Sequence, residues 1–333
     1  MVTRISKENI SFFEHLIPDD LIEDLLIRKD TVGLGCLRRD FDGNFDGFGT
    51  LILVREYDEN ENVDNFNIKW LYVDSNRRDD GIACELITEV FWEFGNTEVP
   101  TMTVDIPAME RYDELGLFFN DWHFKFLPTY TVDFEMPLTD LKKNEYFSGI
   151  TKDTAVKGVV PLSSVEEKAL KYFLRELRKK YIKRGLYVDI MLTEYSKDYF
   201  DPEISSAIVK NGIVDGAMLV HTRPSGRYEI IVFDTLLDNQ KMNLLKLMNK
   251  TYQAALKANK KNATVYHKCY NERGMDFIDG LFGTHETPYV LRGMIENSSV
   301  ALSSEDWEEI KEEYWKDNPD LYEDVKAIVT GNY

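Results

Sequence analysis

The sequence predicts an α/β protein with mixed sheets, arranged as two repeated halves. Three observations predict it. The apolar run Ile68–Val73 feeds a polar turn, Asp74–Asp80, and then a helix with Ile82, Leu86, Val90 and Phe91 near three-to-four spacing. A further strand, Thr101–Ile106, follows, and strand–helix–strand argues for parallel neighbours. Consecutive strands precede this unit, which argues for hairpins, and the second half of the chain repeats the same order.

The elements follow in order. Thr3–Ser6 reads as a short strand, and Ser11–Leu16 and Asp19–Arg28 as helices. Asp19 or Asp20 can cap the second helix, whose dense leucine and isoleucine positions suit a buried face. Thr31–Arg38 is a strand weakened by Gly33 and Gly35. Asp40–Gly43 and Asp46-Gly47 carry turn chemistry, and Phe48–Glu56 is a strongly apolar strand. Asp58–Asn65 is an acidic hairpin tip, and Asn67–Val73 is the next strand. Beyond the helix from Ile82, Thr101–Ile106 is a strand and Glu110–Asn120 a helix. Phe124–Phe126 and Tyr130–Met136 are strands.

The turn is the chemically informative stretch. It carries Arg78-x-x-Gly81-x-Ala83 at the opening of a helix. The first helical N–H groups have no intrahelical partner, and the helix dipole adds partial positive charge there. A glycine lets an anion approach without a Cβ in the way. Such a turn suits phosphate. It equally suits an ordinary strand-to-helix junction, and the hexamer alone does not choose.

Composition narrows the function classes. The chain has 333 residues, 43% of them hydrophobic and 13% aromatic, enough for packed cores. A formal net charge of −19 argues against a nucleic-acid binder that works through a general basic surface. It is compatible with a cationic substrate, and also with simple solubility. Cys36, Cys84 and Cys269 are scattered and odd in number, so neither a disulfide framework nor a metal site is expected. No signal peptide and no bilayer-spanning run is read, so a cytoplasmic location is expected.

In context, residues 1 to about 138 resemble the GCN5-related N-acetyltransferase (GNAT) superfamily. Leu71-Tyr72-Val73, followed by Arg78-Asp79-Asp80-Gly81-Ile82-Ala83 at the family's offset, carries the resemblance. It implies acetyl-CoA as cofactor and acyl transfer to an amine. Leu71, Tyr72 and Val73 would bond the pantetheine arm like an added strand, and a backbone N–H there would polarise the thioester. The N–H groups of Arg78 through Cys84 would cradle the pyrophosphate, with Arg77 or Arg78 adding charge. Asn120 completes the expected cofactor contacts. The amine must be neutral to attack, so a general base or a water relay is expected. Asp74 and Asp105 lie near strand ends, and either fits a base or a turn cap. The family often places a tyrosine four residues before a Gly-Phe pair to protonate the leaving thiolate. Here Phe119 stands in that place before His123-Phe124, and Tyr112 is the substitute. CoA thiolate is a good leaving group, so the missing acid does not forbid turnover.

The second half reads similarly. Residues 139–152 are a polar linker, and Val156–Leu162 is a strand. Ser163–Gly185 is a helix with a Ser164–Glu167 capping box and a stripe of Leu170, Phe173, Leu174, Leu177 and Tyr181. Its basic cluster, Arg178 to Arg184, fits a solvated face or a nucleic-acid contact. Ser205–Lys210, Gly216–Thr222 and Tyr228–Phe233 are strands joined by Asn211-Gly212 and Pro224–Gly226 turns. Leu244–Ala258 is a helix, Thr264–His267 a strand, Glu272–Leu281 a helix and Tyr289–Met294 a strand. The closing strands of the halves look alike, Leu127–Met136 beside Thr287–Met294. Aligning Phe233-Asp234 on Val73-Asp74 sets Asp238 opposite Arg78 and Lys241 opposite Gly81. The second copy therefore lacks the phosphate turn.

The expected organisation is a GNAT domain at 1–138 with the acetyl-CoA site, a linker at 139–152, a degenerate GNAT-like domain at 153–298, and an acidic helical tail at 299–333. The expected activity is acetyl transfer to a small amine, a lysine or an N-terminal amine. The alternative is a catalytically silent acyl-CoA-binding or regulatory module. No nucleic-acid or membrane partner is expected. The repeat supports either a monomer acting as a pseudo-dimer or a homodimer.

Overall fold

The computed structural model describes residues 1–39, 42–58, 60–78, 80–107, 115–128, 132–153, 155–186, 188–238, 240–258, 263–269 and 290–297. The chain divides into two compact units. One is Met1–Leu127 with the segment from Leu291 onward, and the other is Pro128–Val290.

The first unit holds β1 (Val2–Ile5), α1 (Asp19–Ile27), β2 (Thr31–Arg39), β3 (Phe45–Tyr57), β4 (Val63–Val73), α2 (Ile82–Gly95), β5 (Thr101–Pro107), α3 (Leu117–Asp121) and β6 (Lys125–Pro128). The expected helix at 11–16 is instead two 3₁₀ turns, Ile10–Phe12 and Glu14–Leu16. α1 follows Pro18 and takes no side-chain cap from Asp19 or Asp20. None of its residues is fully buried, so its apolar face is a half-buried one.

β1 to β4 pair in sequence as antiparallel neighbours, and β4 pairs β5 in parallel. The sheet order is β1-β2-β3-β4-β5-β13-β6, where β13 is Val290–Glu296 from the far end of the chain. A glycine makes that insertion possible. A β-carbon on Gly293 would stand 2.7 Å from the Phe126 ring and 2.9 Å from Val104, so only a bare backbone fits between β5 and β6. Asn297 secures the end of β13, donating its side-chain amide to the Phe94, Thr97 and Val99 carbonyls at 2.9–3.0 Å.

One sheet face packs on α2, whose Leu86, Val90 and Phe94 meet Leu51, Phe66, Ile68, Met102 and Val104. The other face packs Ile52 and Leu37 under Phe13, Leu16 and Ile17. Burial of such side chains contributes about 1.5–3 kcal/mol each.

The second unit holds β7 (Val132–Pro137), α4 (Leu138–Leu141), α5 (Glu145–Ser148), β8 (Val160–Pro161), α6 (Glu167–Lys183), β9 (Ser206–Lys210), β10 (Ile213–Thr222), β11 (Tyr228–Thr235), α7 (Lys241–Ala258) and β12 (Thr264–Cys269). Its sheet order is β7-β12-β11-β10-β9-β8, with β11 and β12 parallel. α6 packs Leu170, Phe173, Leu174 and Leu177 on one face, as the stripe predicted. α7 packs Leu247, Met248 and Tyr252 on the other.

Four features differ from the sequence reading. β7 belongs to the second sheet, where it pairs β12 over six positions, while β13 completes the first. The halves have exchanged their closing strands, so the expected border at 138 does not hold. The stretch 139–152 is no linker, because Leu141, Phe147 and Ile150 are buried in the second unit's core. The capping box at Ser164 does not form: Ser164 lies in a 3₁₀ turn, and α6 begins after Glu166 without a side-chain cap. The expected strand Val156–Leu162 shrinks to Val160–Pro161. The expected helix Glu272–Leu281 and the tail helices lie outside the described residues, as does the start of the helix expected at 110–120.

Candidate functional site

The site is a fork in the first sheet. β4 and β5 pair in register from Asn65 opposite Thr101 to Ile68 opposite Val104. Among the described residues the parallel register ends there, although β4 runs on to Val73 and β5 to Pro107. A bulge in β4 at this point leaves Lys69 as the extra residue, with Ile68 opposite Leu53 and Trp70 opposite Ile52. Leu71, Tyr72 and Val73 continue to pair β3 and line the open half of the fork, each half-buried.

The turn closes the fork's mouth. Asp74 accepts a bond from the Asn76 N–H at 2.8 Å and caps a 3₁₀ turn, Ser75–Arg77. The capping role expected of this carboxylate is thus in place. Arg77 lies 4.9 Å from the Phe48 ring centre and pairs with Asp80 at 3.3 Å. Arg78 is exposed, and Asp79 lies outside the described residues.

Gly81 precedes α2 with φ +77°, in the left-handed region that disfavours any side chain. No side chain caps the helix here, so Ile82, Ala83 and Cys84 open it with the donor-rich end that suits an anion. Cys84 is exposed and free, and Cys36 is buried. Ile82 faces inward, only 1% exposed, and anchors the helix end to the sheet.

At the crotch of the fork stands a cluster of charges. Asp105 follows the last paired residue of β5. Arg292 of β13 grips it with Nε at 2.8 Å and Nη2 at 3.0 Å. Lys69 Nζ lies 3.9 Å from the same carboxylate, across the crotch. The fully buried Asn67 donates to Glu56 at 3.1 Å and to Asp105 at 3.5 Å. Asp105 thus lies near the end of β5 with its carboxylate engaged by a guanidinium. Sequence reasoning missed Lys69, Arg292 and Asn67. Arg292 is 187 residues from Asp105, and no local pattern announces such a pairing.

The acid position is apolar, as its residue predicts. Phe119 is 1% exposed and packs edge-on against Phe124, with ring centres 5.2 Å apart. His123 has φ +66° and is exposed. Its N–H bonds the Asn120 carbonyl at 2.9 Å and the Phe124 N–H bonds the Phe119 carbonyl at 3.1 Å, a helix-ending motif that ordinarily takes glycine. Asn120 is exposed at that helix end, and Tyr112 lies outside the described residues.

The matching turn of the second unit is filled by its own side chains. Lys180 of α6 bonds both Asp234 oxygens at 2.9 and 3.0 Å and the Thr235 carbonyl at 2.7 Å. Arg184 pairs with Asp238. Two residues of the basic cluster are therefore internal ion-pair partners. Burial, with Asp234 alongside, pushes the Tyr181 hydroxyl far up.

Among the described residues, no group of three or more metal-binding side chains occurs, and no helix is long and apolar enough to cross a membrane.

No family model matches the sequence, and no curated protein matches it. Solved structures do. A tandem GNAT protein from the clavulanic acid biosynthesis pathway is 13% identical, over 89% of this chain and 99% of that one, at a TM-score of 0.56. A GCN5-related glucosamine N-acetyltransferase region of a fungal multi-domain β-N-acetylglucosaminidase is 11% identical, at a TM-score of 0.54. It covers 89% of this chain, which spans 38% of that longer protein. With two mixed sheets, each holding a parallel pair, and helices on their faces, the chain has the tandem GNAT fold.

Proposed function

We propose that this chain transfers acetyl from acetyl-CoA to a primary amine by direct attack, with the cofactor bound by the first unit alone. The observation that carries the reading is the open β4–β5 fork, closed at its mouth by an uncapped helix end behind Gly81. The backbone of Leu71, Tyr72 and Val73 would take the pantetheine arm. The turn from Arg77 through Cys84, Asp79 and Asp80 included, would take the pyrophosphate, with Asn120 near the helix end. The acceptor would be a small amine, a lysine or an N-terminus. Tyr112 and Asp105 are the proposed proton-handling groups; Asp74 serves the turn. The ion pairs of Lys180 and Arg184 support a single cofactor per chain, because they occupy the second unit's equivalent turn.

Isothermal titration with acetyl-CoA tests the cofactor. Binding is expected for the wild type and loss for Gly81→Glu. Because a side chain at Gly81 is strained, Arg78→Glu at an exposed position serves as the second variant. No binding by the wild type, or equal binding by both variants, would sink the proposal. Phe119 favours a second reading, a silent acyl-CoA-binding module, since the usual hydroxyl is absent. Thiol release across an amine panel separates the two.

A further inference from the structure

Lys69 stands where the acyl group of a bound donor would end. It is the bulged residue of β4 at the crotch, and its ammonium reaches across to Asp105. From Val73 at the mouth to Lys69 is four residues, about 13 Å along a strand. An extended arm of two amide units, anchored by its pyrophosphate at the turn, spans such a distance and sets its thioester near the crotch. The Lys69 side chain is 26% exposed, so its amine is neither sealed in nor out in solvent. Asp105 is held by Arg292 from the opposite strand, so the lysine faces a carboxylate that cannot swing away.

We propose that Lys69 Nζ is an internal acyl acceptor, and that the chain acetylates itself there when no amine substrate is present. This rests on the acyl-CoA reading above. The neutral amine attacks the thioester carbonyl carbon. A C–N bond forms and the C–S bond breaks. The ammonium has by then given one proton to water, and the further proton that Nζ loses as the amide forms goes to the departing thiolate, directly or through water, giving CoA-SH and an amide. The amide is uncharged, so Asp105 keeps Arg292 as its cation and loses Lys69. Acetylation would therefore remove one positive charge from the place where an acceptor amine must sit. A cationic acceptor would then meet less repulsion.

The test uses the full chain, acetyl-CoA and no amine. Peptide mass spectrometry compares acetyl occupancy at Lys69 with that at the exposed Lys168 and Lys179. Desulfo-CoA, which has no reactive sulfur, serves as competitor, and heat-denatured chain gives the background. Occupancy at Lys69 several-fold above the other two, lost with desulfo-CoA and on denaturation, is the expected result. Equal occupancy at the three lysines, or occupancy indifferent to desulfo-CoA, overturns the proposal. Titration of the same sample with acetyl-CoA separates the failures. Binding without selective acetylation rejects Lys69 as acceptor alone, whereas no binding rejects the cofactor reading as well.

Discussion

Gly49 lies directly beneath Ile82. A β-carbon on Gly49 would stand 2.5 Å from the Ile82 Cγ2 and 3.3 Å from Leu86 Cδ1. This strand glycine lets the opening turn of α2 settle on the sheet, and so fixes where the donor-rich helix end points. Gly49→Val is expected to force the helix away, at about 1–3 kcal/mol of stability. Denaturant unfolding reads the stability and titration reads acetyl-CoA affinity. Unchanged values in both would show that the contact relaxes freely.

His123 occupies a left-handed position that glycine adopts without strain. His123→Gly is expected to stabilise the first unit by about 1 kcal/mol, because the αL penalty of a β-carbon exceeds the extra chain entropy of glycine. A lower midpoint in thermal unfolding would contradict this. The same substitution restores the Gly-Phe pair of the resemblance, which explains on backbone grounds why that position usually carries glycine.

The first unit needs β13. A fragment of residues 1–138 is expected not to fold cooperatively, since it lacks the strand between β5 and β6 and carries β7 without its partner. In the full chain, Asn297→Ala removes the side-chain donor that the Thr97 and Val99 carbonyls of the α2–β5 connection take, and is expected to cost about 1–3 kcal/mol. Circular dichroism of the fragment and denaturant titration of the variant check the two statements. A fragment with a sharp unfolding transition would refute the first.

Local features were legible in the residues and distant pairings were not. The Asn211-Gly212 hairpin has φ +52° and +77°, as its dipeptide predicts, and Gly81, read as the glycine of the turn before a helix, stands there with φ +77°. Those outcomes depend on neighbours within a few residues. The exchange of β7 and β13 does not. Both closing strands are short, apolar and alike in sequence, so either fits either sheet, and the choice rests on Gly293 meeting Phe126 far along the chain. Arg292 was invisible for the same reason. The stretch 139–152 misled because its charges are frequent, although Leu141, Phe147 and Ile150 carry the burial.

Lys180 is 13% exposed and lies between Asp234 and Asp238. Lys180→Met would leave Asp234 without its ammonium partner. A loss of about 1–3 kcal/mol in the second unit is expected, with acetyl-CoA affinity unchanged. Acetyl-CoA affinity that falls with the variant would place a cofactor site in the second unit after all.

His267 links the second unit's stability to pH. Its Nδ1 lies 3.2 Å from the Ile230 carbonyl and therefore donates, and burial pushes the imidazole below its ordinary value. The unfolded chain then binds more protons than the folded one around neutrality and below. Stability contributed by neutral His267 is full above about pH 6.5 and is lost as pH falls through the folded value. His267→Asn, which keeps an N–H donor without the titration, is expected to flatten that dependence in unfolding measured between about pH 7.5 and 5.5. An unaltered slope would assign the dependence to other groups.

The position of β13 also sets an order of events in synthesis. Residues 290–296 fill an interior place in the first sheet, yet they leave the ribosome only after the strands and helices of the second unit. Until then β5 has no neighbour on that side, and its edge and that of β6 stand open to wrong partners. β7, by contrast, is ready before its sheet exists. The first unit is therefore the one that matures last, and any acyl-CoA site it holds is completed only after the second unit has been translated.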